Sequence, residues 1–501
     1  MGEANRVAVR ISAETNWGET PSSPTMQALL RTGGGMETMT DTVVSNSVRS
    51  DRMRHQFYRT GIRAEGGYDF ELAYGQYDTL LSHALCAAYA SAVAISATTI
   101  SAATSDDSFN DSGSGFVSGG VQAGMWILVA GFANAGNNGL FKVGTVAAGK
   151  IVPSARIDLT TTLYSTTVNL TTEAAGPTVT IRNQGMLRNG TTAQSLLIEE
   201  YHEDTTDDSF NDSANGFVAA GIQAGMVILI GGFANAGNNG LFKVGTVAAG
   251  KIVPSARIDL TTGLYSTTVQ LVDEAATPTI TIRNQGMLRN GTTALSLLIE
   301  EAHEDTTDFY TYRGCRVNTL DMEIAANSLA TGRFGVTGKS GHRAGSTASG
   351  SVTAVNSNLA FNTSENIWGF NEGDGSFTES IQSLSLAVNN NLRYNNAVGS
   401  LYPSAIAYGT QDLTGSIQIY NSTGADAIID KYLAFTETEF SFVISNGSSA
   451  LYYVITLPRI KFSKGTPMAG GLDEDTMVPL DWVAYGGGGT YQIQIDRITA
   501  A

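Results

Sequence analysis

The sequence predicts an all-β fold with one flanking helix, carrying two tandem copies of a small inserted β domain, and three observations support this. Glycine numbers 56 in 501 residues, proline only 10 and charged residues 15%, with serine and threonine abundant, which suits short strands joined by tight polar turns. Apolar and polar residues alternate along many short runs, the period of a strand with one buried face. A block of 101 residues also occurs twice in succession.

In chain order, Val7, Val9 and Ile11 mark a first strand, and Tyr68, Phe70 and Leu72 mark another whose alternate face holds Asp69 and Glu71. After Gly75, the run Tyr77–Leu85 places Leu80, Leu81, Ala84 and Leu85 on one stripe, the signature of the single helix. The duplication follows. Gly131–Thr161 is identical to Gly232–Thr262, and Thr180–Ala193 to Thr281–Ala294, so the block 106–206 recurs as 207–307.

A period this long exceeds the roughly 20 to 50 residues of solenoid and propeller repeats, so each copy is expected to be a compact domain with its own core. Within copy 1, β-type runs at Met125–Phe132, Leu140–Val146, Ile151–Leu159, Ser165–Leu170 and Thr178–Arg182 are punctuated by turn residues such as Asn137-Asn138-Gly139 and Gly176-Pro177. That spacing suggests a small barrel or sandwich. Beyond the duplication, Ile381, Leu384, Leu386 and Val388, then Ile417 and Ile419, then Tyr491, Ile493 and Ile495 read as strands, with Gln418, Gln492 and Gln494 on alternate faces. The expected organisation is a core in two parts, 1–105 and 308–501, interrupted by the two copies, the second rejoining the core from about 295.

The formal charge of −17 repels polyphosphate, which excludes tight nucleic-acid binding but suits a surface past which DNA slides. Residues 106–204 and 205–308 hold net charges of −4 and −6, and the copies are expected to behave as polar outer appendages. Against this background Met39–Ala64 concentrates Arg49, Arg52, Arg54, Arg59 and Arg63 with Asp51, a pattern that fits docking on an acidic face of a neighbour or, more blandly, a solvated loop. Cys86 and Cys315 are expected to be free thiols in a reducing cytosol, with no secretory signal before them. The longest weakly polar run, Leu85–Ala97, falls short of the ~20 residues a spanning helix needs, so no membrane segment is expected.

Several apparent sites dissolve on inspection. Gly144–Lys150 has phosphate-loop spacing, but Ile151 stands where a Ser or Thr would hold magnesium, and β-type residues follow; the same run recurs at Gly245–Ile252. The acidic runs Glu199–Asp204 and Glu300–Asp305 lack a second His or Cys at ligand spacing and read as solvated acidic strand ends, and Phe109 interrupts the calcium-like run from Asp106. The five histidines, His55, His83, His202, His303 and His342, are scattered without a nucleophile motif. No catalytic residue, metal or cofactor is assigned, and the chain is not expected to be an enzyme.

Certain motifs carry a resemblance. The opening Ala13-Glu14-Thr15-Asn16-Trp17-Gly18-Glu19-Thr20-Pro21, then Val48–Arg52, Gly66–Leu72 and the helix, then Arg313–Asn318, Gly415–Tyr420, Leu457–Ile460 and Ile493–Arg497 together resemble the tail tube proteins of long-tailed phages with non-contractile tails. The likeness covers roughly 1–100 and 295–501, and the duplicated block departs from it. It implies a tail-tube-type β-sandwich or barrel core, hexameric rings whose inner strands close a continuous barrel, and rings stacked into a tube through which DNA is ejected. It further implies a virion-tail protein assembled in the host cytoplasm, whose partners are itself, tape measure and tail tip or terminator proteins, and transiting phage DNA. A long loop between early strands reaches a neighbouring subunit in such proteins, and Met39–Ala64 is its counterpart. Asp69, Glu71, Gln492 and Gln494 are candidates for the lumen face or for an ordinary solvated face. The alternative function is a capsid decoration or carbohydrate-binding module built on the duplicated domains.

Overall fold

A computed structural model describes residues 3, 6–89, 93–98, 100–112, 121–122, 126–129, 133–134, 137, 139–147, 149–158, 164–165, 168–172, 180–181, 196–197, 209–211, 216–219, 222–231, 233, 235–236, 238–258, 265–266, 268–272, 280–284, 286–373, 375–445, 451–469, 471–472, 474–486 and 491–499. Antiparallel strands dominate. The larger sheet of the core runs Gly33–Val44, Phe57–Glu71, Thr331–Gly338, Asp308–Ala325, Ile381–Asn389, Asp412–Tyr420, Met477–Ala484, Leu451–Phe462, Thr438–Ser445 and Ile367–Glu372. The smaller runs Thr25–Leu29, Val7–Ala13, Leu297–His303, the first part of Asp308–Ala325 and Ser340–Ala344.

The 18-residue strand Asp308–Ala325 belongs to both sheets, and local chemistry explains how. Gly314 adopts φ +62, and a Cβ there would stand 2.9 Å from the Trp17 indole nitrogen, which donates to the Gly314 carbonyl at 3.1 Å. A bulge between Val317 and Thr319 then shifts the alternation by one residue. Cys315 and Val317 are buried before it, and Leu320, Met322 and Ile324 after it.

The expected helix forms at Asp78–Ala84 and buries Leu80, Leu81 and Ala84 in the main core. Next to it, Phe70 stacks on Phe334 at 4.6 Å and meets Tyr77 at 4.7 Å. A second helix, Ala425–Leu433, was not expected; it buries only Ala425 and Ile428, too thin a stripe to stand out among strand-like neighbours. No helix among the described residues is long and apolar enough to cross a membrane.

The duplicated region differs from two separate beads. Each copy contributes the expected hairpin, Gly139–Ala147 with Gly149–Asp158 and Gly240–Ala248 with Lys251–Ile258. Strands of the two copies also pair with each other, Gly149–Asp158 running parallel to Lys251–Ile258, and Phe109, Phe141, Phe210 and Phe242 share one core. Strands of identical sequence have identical alternation, so one copy's edge matches the other's. The return to the core begins at Gly286, earlier than the expected 295, where Gly286–Arg289 pairs with Gln494–Thr499.

Candidate subunit interface

The hairpin Gly33–Val44/Phe57–Glu71 divides into two unlike halves. Its inner half is sheet core: Met36, Ala64, Tyr68 and Phe70 are buried, and the Ile62 amide donates to the Leu401 carbonyl at 2.7 Å. Gly34, at φ +82, lets the paired strands approach so closely that a Cβ would collide with the Gly67 carbonyl. A bulge between Asp41 and Thr42 bends the ribbon where it leaves the body. Beyond the bulge, Thr42–Val44 and Phe57–Arg59 are still paired but lie largely uncovered, closed by residues 45–56.

This outer half exposes apolar side chains: Val43 is 54% exposed, Phe57 67%, Tyr58 48%, Met53 64% and Val48 99%. A two-stranded ribbon carrying that much apolar surface is an unfinished contact, because two strands alone cannot bury it. Sequence reading found the arginines and missed these residues. Their signal was the absence of polar alternation at Val43-Val44 and Phe57-Tyr58.

The arginines separate into two groups. Arg49 grips Asp51 through Nη2 at 2.6 Å and Nε at 3.0 Å, and this guanidinium holds the Asp51 carboxyl below its usual range. Arg63 lies back in the ribbon's base, paired with Asp41 and donating to Glu65 at 2.8 Å. Arg52, Arg54 and Arg59 are exposed and make no ion pair among the described residues. Arg52 also sits at φ 61, inside the turn closed by its amide on the Arg49 carbonyl.

The four lumen candidates do not share one environment. Asp69 is exposed enough to pair with Arg333 at 2.6 Å across neighbouring strands, and Glu71 is half-buried at the same strand's end. Gln492 is half-buried, with its amide donating to Asn290 Oδ1 at 2.7 Å. Gln494 does not line an open face: it is 0% exposed, donates to the Gly225 carbonyl and accepts from Arg289 Nε at 2.8 Å. Neighbouring Asp496 accepts the Val227 amide at 2.9 Å, so this strand's polar face seats copy 2 on the core.

The runs set aside on sequence have ordinary roles where described. Gly144–Ile151 and Gly245–Ile252 are hairpins, with Ala147 opposite Lys150 and Ala248 opposite Lys251. Glu300 accepts from Arg10 at 3.1 Å, Thr347 at 2.7 Å and the Ala348 amide at 2.6 Å. Glu301 faces the other way and accepts from the Met36 amide at 2.7 Å and Tyr68 hydroxyl at 2.8 Å. Among the described residues no three His, Cys, Asp or Glu side chains converge as a metal set would. Residues 199–204 lie outside the described residues.

Comparison with known proteins agrees with this architecture. No curated protein matches the chain. The family model described as phage tail tube protein matches residues 4–484, spanning both core halves and the duplication between them. The chain belongs to the phage tail tube protein family.

Proposed function

We propose that this chain is a major tail tube subunit that forms hexameric rings stacked around a lumen for phage DNA, and that the ribbon 42–60 grips the neighbouring subunit. The observation that carries the reading is the ribbon itself, which presents exposed Val43, Phe57 and Tyr58 beside unpaired Arg52, Arg54 and Arg59. Apolar contact supplies affinity, and the arginines steer encounter with a chain whose net charge is −17. An acidic bore repels phosphates, so DNA passes without being trapped. Asp69 and Glu71 are the better candidates for that bore, and the duplicated region projects from the tube's outside. Tape measure and tail tip or terminator proteins meet the tube at its lumen and ends, and assembly takes place in the host cytoplasm.

The test is the double variant Arg52→Glu/Arg54→Glu. Its circular dichroism is expected to match the parent, while electron microscopy shows no tubes under conditions where the parent polymerises. Tubes in undiminished yield refute the role given to the ribbon.

A further inference from the structure

The duplication reaches into the tube core. Gly286–Arg289 lies along Gln494–Thr499, the Gly291 and Thr293 amides donate to the Leu85 and Cys86 carbonyls at 2.8 and 2.9 Å, and Leu297–His303 fills the slot between Val7–Ala13 and Asp308–Ala325. This stretch closes the smaller sheet. It is also the end of copy 2, and copy 1 ends the same way. Residues 185–207 match 286–308 except that Gln194 stands for Leu295 and Tyr201 for Ala302. The chain therefore holds two versions of one closing segment and a single slot.

We infer that residues 185–204 form a second closing segment competent to fill that slot, and that Ala302 against Tyr201 selects which copy does so. The slot's requirements are specific. Leu297, Leu298 and Ile299 are fully buried, Glu300 must meet Arg10, and Glu301 must meet Met36 and Tyr68. Copy 1 supplies the same side chains in the same order as Leu196, Leu197, Ile198, Glu199 and Glu200. Within the strand Leu297–His303, only position 302 differs between the copies. Ala302 is 0% exposed, registered opposite Ala8 on one side and Phe309 on the other, and a tyrosine there overpacks the site and buries a hydroxyl.

Connectivity favours the same choice. Copy 2 enters Asp308–Ala325 through the short turn 304–307, whereas copy 1 in the slot leaves all of copy 2 as an excursion, and closure cost grows with loop length. In the structure copy 1's Leu196–Leu197 pairs instead with Ala97–Thr98, which precedes the duplication but belongs to the sheet the two copies share. Most of copy 1's segment lies outside the described residues, so its competence rests on sequence identity with the segment that occupies the slot.

The full-length chain tests this without reference to ring formation. Ala302→Tyr alone is expected to lower the thermal midpoint; adding Tyr201→Ala is expected to restore much of the loss. Amide-exchange protection should then move from 297–303 to 196–202. A double variant that melts no higher than Ala302→Tyr, with 196–202 exchanging freely, overturns the inference. The deletion Δ207–307 provides a second arm, because it joins Thr206 to Asp308 and recreates the native turn sequence. Δ207–307 is expected to fold and to gain midpoint on Tyr201→Ala. Failure of that rescued deletion to fold, while Δ106–206 folds, contradicts the proposal.

Discussion

Glu300 and Glu301 are adjacent on one strand and face opposite ways, and each is buried against a set of donors. Sequence alone made them part of a solvated acidic strand end, because the groups that satisfy them come from distant residues such as Arg10, Met36, Tyr68 and Thr347. Glu301→Ala leaves the Met36 amide and Tyr68 hydroxyl without their acceptor. Each group so orphaned costs roughly 1–3 kcal/mol, readable as a lowered denaturant midpoint. His83 gives a pH signature. Its Nδ1 lies 2.7 Å from the Thr79 carbonyl, and burial pushes its pKa below the usual 6.5. The fold prefers the neutral ring, so the unfolded chain takes up the proton first as pH falls. The resulting stability is present above 6.5 and is lost as pH drops through the lower folded value. His83→Gln is expected to flatten the fall in thermal midpoint between roughly pH 7 and 5; an unchanged slope assigns the effect elsewhere.

At the level of elements, legibility followed burial. The helix Asp78–Ala84 could be read because its stripe of Leu80, Leu81 and Ala84 faces one core, and Leu81→Ala is expected to cost about 2–5 kcal/mol in a denaturant titration. The inner half of Phe57–Glu71 could be read because Tyr68 and Phe70 alternate with Asp69 and Glu71. Its outer half could not, since alternation reports burial within a chain and Phe57 and Tyr58 are uncovered here. Gln494 was misread for a related reason. Its alternate face looks solvated in sequence but is covered by Gly225 and Val227 of the inserted region, a contact with no local signal. Replacing residues 45–56 by an Asn-Gly turn is expected to keep the core fold, because the hairpin register is set below the bulge, and to abolish tubes in electron micrographs. Tubes formed by that variant would remove the ribbon from the assembly mechanism.

For the whole molecule, the all-β core and the duplication were visible in the sequence because both are repeating patterns, of period two and period 101. What was not visible is where the repeat ends in three dimensions. Its last residues are core strands, since Gly286–Arg289 and Leu297–His303 pair with the chain's two termini, and the pairing of one copy with the other depends on tertiary contact. The core's apolar interior is closed, while its ribbon stands away with apolar surface uncovered, and a sister subunit is the partner the account gives it. The most direct measurement is a cryo-electron microscopy map of the purified chain after polymerisation. The expected result is a hollow tube of six-subunit rings, with residues 42–60 of each subunit packed on a neighbour. A map of isolated subunits, with that ribbon folded back on its own body, contradicts the account.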